Sequence, residues 1–292
     1  MKIDLHIHSK NGSDGRWDIS DIFAEASRRG IGLVSITDHD SMAAQEQASS
    51  LARFHSMRYV TGIELNITFS HPGFQGGKGV SLDMLGYGYD IHNKALSEKL
   101  EALRAHRVTR AERILEKLNA EFRSQGMPEF TAEDMEAIQA RADGALARPH
   151  IASYLIEKGI VSDKREAFER YLVKCDVPKM PLSLQEASSL IHGAGGRLVL
   201  AHPGDPNGTS LVPLTPVLHE QLSIIRDSML GLIDGIECWH SRHSRPQMRA
   251  FADFARRHSL IATGGSDCHQ QPPIMGTVTV PDWVAGQFAH VP

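Results

Sequence analysis

The sequence predicts an α/β fold, a parallel sheet or barrel interrupted by a mostly helical insertion. Three observations lead there. Short apolar segments ending in Gly, Asp, His or Ser recur along the 292 residues, and amphipathic helical patterns separate several of them. Strand signals then fade between about residues 95 and 182, where polar helical patterns take over.

Taken in order, the first segment is KIDLHIHS. Strand alternation puts Asp4, His6 and His8 on one face and Leu5 and Ile7 on the other. Residues 18–30, DISDIFAEASRRG, place Ile19, Ile22, Phe23 and Ala26 on one helical face and stop at Gly30. IGLVSITDHD, RYVTGIEL and SLDMLGYGYD follow, and KALSEKLEALRAHRVTRAERILEKLNAEF opens the helical stretch. The expectation is a barrel-like domain formed by residues 1–94 and 183–292, split by an insertion at 95–182. Beyond it, Ser183 and Glu186 have capping-box spacing at the head of a helix ending in GAGG, and residues 245–258 repeat the amphipathic pattern. RLVLAHPG, IDGIECWHS and LIATGGSDCH complete seven segments.

Composition narrows the function classes. A net charge of -4 gives no basic field for binding a long nucleic acid. No apolar run approaches the roughly 18 residues of a membrane span, so a soluble cytoplasmic protein is expected. The three cysteines, Cys175, Cys238 and Cys268, form no C-x-x-C pair and support neither a disulfide framework nor a thiolate zinc site. Cys268 reads as a small buried hydrophobe. The unusual feature is sixteen histidines.

The strand ends carry the chemistry. They give His6 and His8 with Asp14 close behind, then His39, Glu64, Asp83, His202, His240 with His243, and Asp267 with His269. Parallel α/β folds gather the carboxyl ends of their strands at one rim, where ligands bind. Imidazole nitrogens and carboxylate oxygens without thiolates suit Mn, Zn or Fe, and a shared carboxylate can bridge two ions. Such a site generates hydroxide near neutral pH and clamps phosphoryl oxygens. Competing local readings make Asp38 or Asp40 a helix N-cap and GSDCH a turn. In the helical stretch, Arg104, Arg107 and Arg110 read as pairing with Glu101 and Glu112.

The ordered set DLHIHS, SDG, TDHD, GIE, LGYG, AHPG and GSDCH resembles the PHP (polymerase and histidinol phosphatase) family, especially its small bacterial phosphoesterase branch. The resemblance implies a distorted seven-stranded (β/α)7 barrel with a mostly helical insertion and two or three divalent metal ions, Mn, Zn or Fe. It implies one ion held by His6, His8, Glu64 and Asp267, a second bridged by Glu64 and bound by His202, and a third on Asp14, His39 and His269. Where the family places a histidine in the LDMLGYG strand this chain has Asp83, a shorter, charged ligand that would favour a harder ion.

The implied activity is hydrolysis of phosphate esters of small phosphorylated metabolites by metal-hydroxide attack on phosphorus. Candidate substrates are a nucleoside 3′,5′-bisphosphate, a short oligonucleotide or a ribose cyclic phosphate. His202, His243 and Asp267 are the expected catalytic residues, with His202 or His243 assisting the leaving oxygen. Arg148 in ARPH, Lys174, Lys179, Arg242 and His243 are the expected substrate contacts, although YLVKCDVPKMP departs from the family pattern around the lysines. The insertion would act as a lid limiting substrate size. Two other readings stand beside this one: a catalytically weak, metal-stabilised binding module, and an amidohydrolase acting on C–N bonds.

Overall fold

The computed structural model describes residues 1–140, 146, 148–269 and 274–289. The chain divides into two compact units, Met1–Ser97 with Pro181–Pro292, and Glu98–Met180.

The first unit is α/β. Strands β1 (Lys2–Ile7), β2 (Ile31–Ile36) and β3 (Arg58–Tyr59) form a parallel sheet in that order. Strands β4 (Gly62–Phe69), β5 (Val80–Tyr87), β6 (Arg197–Leu200), β7 (Gly235–His240) and β8 (Ile261–Gly265) form a second sheet. Parallel bridges Ile7–Cys268 and His39–Glu64 link the two sheets. The regular pairing among the described residues is thus two sheets of three and five strands.

Strand β5 runs antiparallel to both β4 and β6, against the all-parallel expectation. The physical reason is the short connection at 70–79, which turns through Gly76 and Gly77 at positive φ and carries no crossover helix. A hairpin is the pairing such a loop allows. Asp83 lies in the middle of β5, opposite Asn66, rather than at the strand's carboxyl end.

Local sequence explains the covering helices. In α1 (Ile19–Arg28) the buried residues are Ile19, Ile22, Phe23 and Ala26, and Gly30 follows at φ 70°. Helix α2 spans Gln45–Phe54. After α3 (Lys94–Ser124), α4 (Ala132–Ala140), α5 (Arg148–Glu157) and α6 (Lys164–Ala167), α7 (Leu184–Gly193) starts where Ser183 Oγ accepts the Glu186 N–H. Helix α8 spans Leu218–Ser228, and α9 (Arg245–Arg257) begins with a full Ser244–Gln247 capping box. One apolar cluster gathers Ile7, Phe23, Ile36, Ala48 and Cys268, and another Ile3, Leu5, Leu33, Tyr87 and Val199. All three cysteines are buried, and no disulfide joins them.

The second unit is helical. Helix α3 (Lys94–Ser124) runs into it, followed by α4 (Ala132–Ala140), α5 (Arg148–Glu157), α6 (Lys164–Ala167) and a π-turn at Phe168–Leu172. Ile114, Leu118, Phe122, Ile151, Leu155 and Tyr171 form its own core. Arg110 pairs not with a glutamate on its own helix but with Asp176, at 2.6 Å, while its Nε donates to the Val177 carbonyl. A buried guanidinium gains more from two convergent acceptors than from an exposed intrahelical pair. Among the described residues no helix is long and apolar enough to cross a membrane.

Candidate metal centre

The centre is assembled from strand ends. Glu64 occupies the middle: its Oε1 lies 3.0 Å from His202 Nε2 and 3.4 Å from His6 Nε2, and its Oε2 lies 3.2 Å from His8 Nε2 and 3.0 Å from His39 Nδ1. Asp267 Oδ1 lies 3.5 Å from His6 Nε2, 3.3 Å from His8 Nε2 and 3.2 Å from His269 Nδ1. Asp14 Oδ1 is 3.2 Å from His269 Nε2 and 3.9 Å from His39 Nε2. Tetrahedral ligands about 2.1 Å from an ion lie roughly 3.4 Å from one another, so these separations suit donors around shared cations.

Among the described residues five overlapping groups result: His6, His8 and Asp267; His6, Glu64 and His202; His8, Asp14, His39 and His269; His39, Glu64 and Asp83; and His6, Glu237 and His240. All nine residues expected as ligands fall in these groups. Their burial supports a cation, because His6, His8 and Glu64 are almost wholly buried and buried charges must be paired or coordinated. Among the described residues, His202 Nδ1 is buried without a hydrogen-bond partner.

Protonation follows from this crowding. Burial opposes charge on His6, yet Glu237, Glu64 and Asp267 raise its pKa well above the ordinary value. His202 is likewise disfavoured by burial but raised to about 9, chiefly by Glu64. Burial alone would raise the Glu64 and Asp267 carboxyls, but the imidazoles around them hold both well below the usual range. Burial pushes His39 down to about 4. Without metal, protons on histidine supply positive charge that a divalent ion would replace.

Other polar residues fix the scaffold. Asp4 accepts the backbone N–H groups of Ser266 and Gly276 and so ties the GSDCH loop to β1. Asp38 accepts the Ser9 N–H and the Ser9 and Ser13 hydroxyls, holding the loop after β1 rather than capping α2, whose N-cap is Ala44. His202 and Asp267 have φ of 22° and 55°, a region that non-glycine residues rarely adopt and that clusters at functional sites.

The remaining candidates are placed differently. Asp83 accepts Asn66 Nδ2 at 2.6 Å with Oδ1, and its Oδ2 is 4.0 Å from His202 Nε2. Both ring nitrogens of His243 engage backbone: Nδ1 donates to Cys238 O at 3.1 Å and Nε2 accepts the Gly204 N–H at 3.2 Å. Burial and then neighbouring His240 push its pKa down to about 4. Arg242, about half exposed, pairs with buried Asp205 at 2.9 Å. Arg148, Lys174 and Lys179 belong to the helical unit. There Arg148 binds Asp176 at 2.8 Å and stacks over Phe168, Lys174 binds Glu121 at 2.5 Å, and Lys179 is exposed.

Glu237 enters the centre unexpectedly, and His240, a strand-end donor outside the expected ligand set, joins it. Glu237 Oε1 lies 3.0 Å from His6 Nδ1, and His240 Nε2 lies 3.4 Å from Asp267 Oδ2. Regular alternation would place residues 237 and 240 on opposite faces. A register shift between Glu237 and Trp239 brings both against His6. The available signal was a glutamate inside an otherwise apolar buried strand.

A family model for the PHP domain matches residues 4–175, more than half of the chain. The chain belongs to the PHP domain family. This PHP protein is 29% identical over 280 residues to the 3′,5′-nucleoside bisphosphate phosphatase of Chromobacterium violaceum, covering 91% of this chain and 87% of the relative. It is 28% identical over 275 residues to the 5′-3′ exoribonuclease of Haemophilus influenzae, covering 92% and 90%. A solved structure assigned as a metal-dependent phosphoesterase, from Bifidobacterium adolescentis, superposes with a TM-score of 0.75 at 29% identity, covering 98% of this chain and 94% of that one. The PHP domain and these relatives place the protein among the phosphoric-ester hydrolases.

Proposed function

We propose that this PHP protein is a metal-dependent phosphoesterase that removes a phosphate from a small nucleotide, a nucleoside 3′,5′-bisphosphate or a short oligonucleotide. The observation that carries the reading is Glu64, one buried carboxylate whose two oxygens lie within 3.4 Å of nitrogens on His6, His8, His39 and His202. A carboxylate so placed would suit two cations that share it. His6, His8 and Asp267 would hold one ion, His202 with Asp83 a second, and Asp14, His39 and His269 a third. Bound there, divalent ions would acidify a water and offset charge building on the phosphoryl oxygens.

The chain's own groups divide the remaining work. Asp267 orients His8, His269 and His240 as well as contributing an oxygen. His202 would serve through Nε2 as a ligand rather than as proton donor to the leaving oxygen, because its Nδ1 is buried on the other side of the ring. His243, held neutral between two backbone groups, is better suited to fixing the Gly204 turn than to moving a proton. Arg242 offers a half-exposed guanidinium for phosphate, whereas Arg148 is engaged by Asp176 within the helical unit. Lys174 and Lys179 are exposed and less suited to that role.

Substrate choice is tested by kcat/KM, with Mn2+ supplied, on 3′-phosphoadenosine 5′-phosphate, a short 5′-phosphorylated RNA and ribose 1,2-cyclic phosphate 5-phosphate. Preference for either of the first two supports the reading. Preference for the cyclic ester, or hydrolysis of amides alone, overturns it.

A further inference from the structure

The centre contains a carboxylate to which the proposed reaction assigns no task. Glu237 is fully buried, and its two oxygens face two different ligand residues. Oε1 is 3.0 Å from His6 Nδ1, and Oε2 accepts the backbone N–H of His202 at 2.8 Å. We propose that Glu237 is a positioning residue that fixes His6 as the Nδ1–H tautomer, presenting Nε2 to a divalent ion, while anchoring the strained backbone of His202 at the neighbouring site. The proposal rests on the metal-centre reading above.

The argument is one of donors and acceptors. A histidine ligand must offer a lone pair, and a neutral imidazole has one; the bond made by the other nitrogen decides which it is. An ionised carboxylate only accepts, so Glu237 selects the proton on His6 Nδ1. The opposite nitrogen, Nε2, is the one that lies 3.1 Å from His8 Nε2 and within 3.5 Å of Glu64 and Asp267. On the other oxygen, the His202 N–H is held while His202 Nε2 meets Glu64 at 3.0 Å, so a residue at φ 22° is fixed from both ends. One side chain thereby sets ligands expected on two ions. His6, Glu237 and His240 could also group around a cation of their own. The bond from Glu237 to the His202 backbone, and the 3.4 Å approach of His240 to Asp267, favour the positioning role.

Glu237→Gln tests it at unchanged volume. Glutamine keeps one acceptor oxygen, which can satisfy His6 Nδ1–H or the His202 N–H but not both. Metal-free wild type and variant would be titrated with manganese chloride by calorimetry, and the zinc-loaded proteins examined by long-range 1H–15N NMR. The expected result is two or three ions on wild type, about 10- to 100-fold weaker binding by the variant, and partial rescue by Glu237→Asp, which retains both acceptors. Zinc-loaded wild type should show the His6 proton on Nδ1. Wild-type affinity and stoichiometry in Glu237→Gln overturn this proposal alone, whereas a wild type that takes up no metal overturns the centre itself and the proposal with it. Should the variant fail to fold, the NMR spectrum of wild type still decides, because a proton on His6 Nε2 excludes the role.

Discussion

The two units differ in what they bury. The α/β unit encloses Asp4, His6, His8, Asp38, Glu64, Glu237 and His240, each no more than 1% exposed. In the helical unit, Arg110 is the one charged side chain buried among the described residues, and the core beneath it is aliphatic and aromatic. Burying charge is costly unless it is paired or coordinated, so a chain that concentrates it in one place retains it there for chemistry. The α/β unit concentrates buried charge, whereas the helical unit buries mainly apolar side chains.

The sharpest way to break that contrast is to cut one residue from each. His6→Ala is expected to lower kcat/KM by at least about a thousandfold, about 4 kcal/mol of transition-state stabilisation, with loss of bound metal and little loss of thermal stability in chelator. Leu155→Ala, in the helical core, should do the reverse, costing about 2–5 kcal/mol of stability while kcat of the folded fraction is retained. Denaturant melts and steady-state kinetics on both variants decide. Equal damage to activity from the two would end the division of labour.

The same contrast governs what could be read from sequence. The strand-end histidines and carboxylates were visible because metal chemistry restricts residue type and spacing, and the faces of α1 and α9 because amphipathic periodicity is local. What escaped depends on geometry that no short pattern encodes. The direction of β5 follows from a loop too short for a crossover. Glu237 and His240 converge only through an irregularity in β7 pairing. Asp38 reads as a helix cap, yet its oxygens hold Ser9 and Ser13 some 25 to 29 residues away in sequence. Arg110 likewise passes over neighbours on its own helix for Asp176, 66 residues on.

Metal removal sharpens the comparison through pH. The pKa of His202 is raised from 6.5 to about 9 in the folded protein. Its proton therefore stabilises the metal-free protein fully below about pH 6.5, and that contribution, on the order of 3 kcal/mol at most, is lost as pH rises through about 9. Cation binding needs the deprotonated imidazole and strengthens over the same window. The rise in Tm on adding Mn2+ should therefore grow from pH 6 to pH 9. A pH-independent increment would mean that metal and proton do not compete. Below this in size comes Asp83→Ala, expected to weaken uptake of one ion by about tenfold, close to 1.4 kcal/mol, with a greater loss for Mn2+ than for Zn2+. Equal Mn2+ and Zn2+ isotherms for wild type and variant would remove Asp83 from the ligand set.

The smallest expected effect falls in the helical unit. Lys174 is bound to Glu121 in an exposed pair, and such pairs contribute about 0–1 kcal/mol because solvent screens them and ordering two long side chains costs entropy. Lys174→Ala should change Tm by no more than about 2 °C and KM by less than about twofold. Arg148→Ala should instead lower Tm by a few degrees, because it removes a partly buried pair with Asp176 and the stacking of the guanidinium over Phe168. Measured side by side, the two variants separate an exposed ion pair from one that packs into the helical unit. Equal Tm values would mean that solvent screens the Arg148–Asp176 pair as fully as it screens Lys174–Glu121.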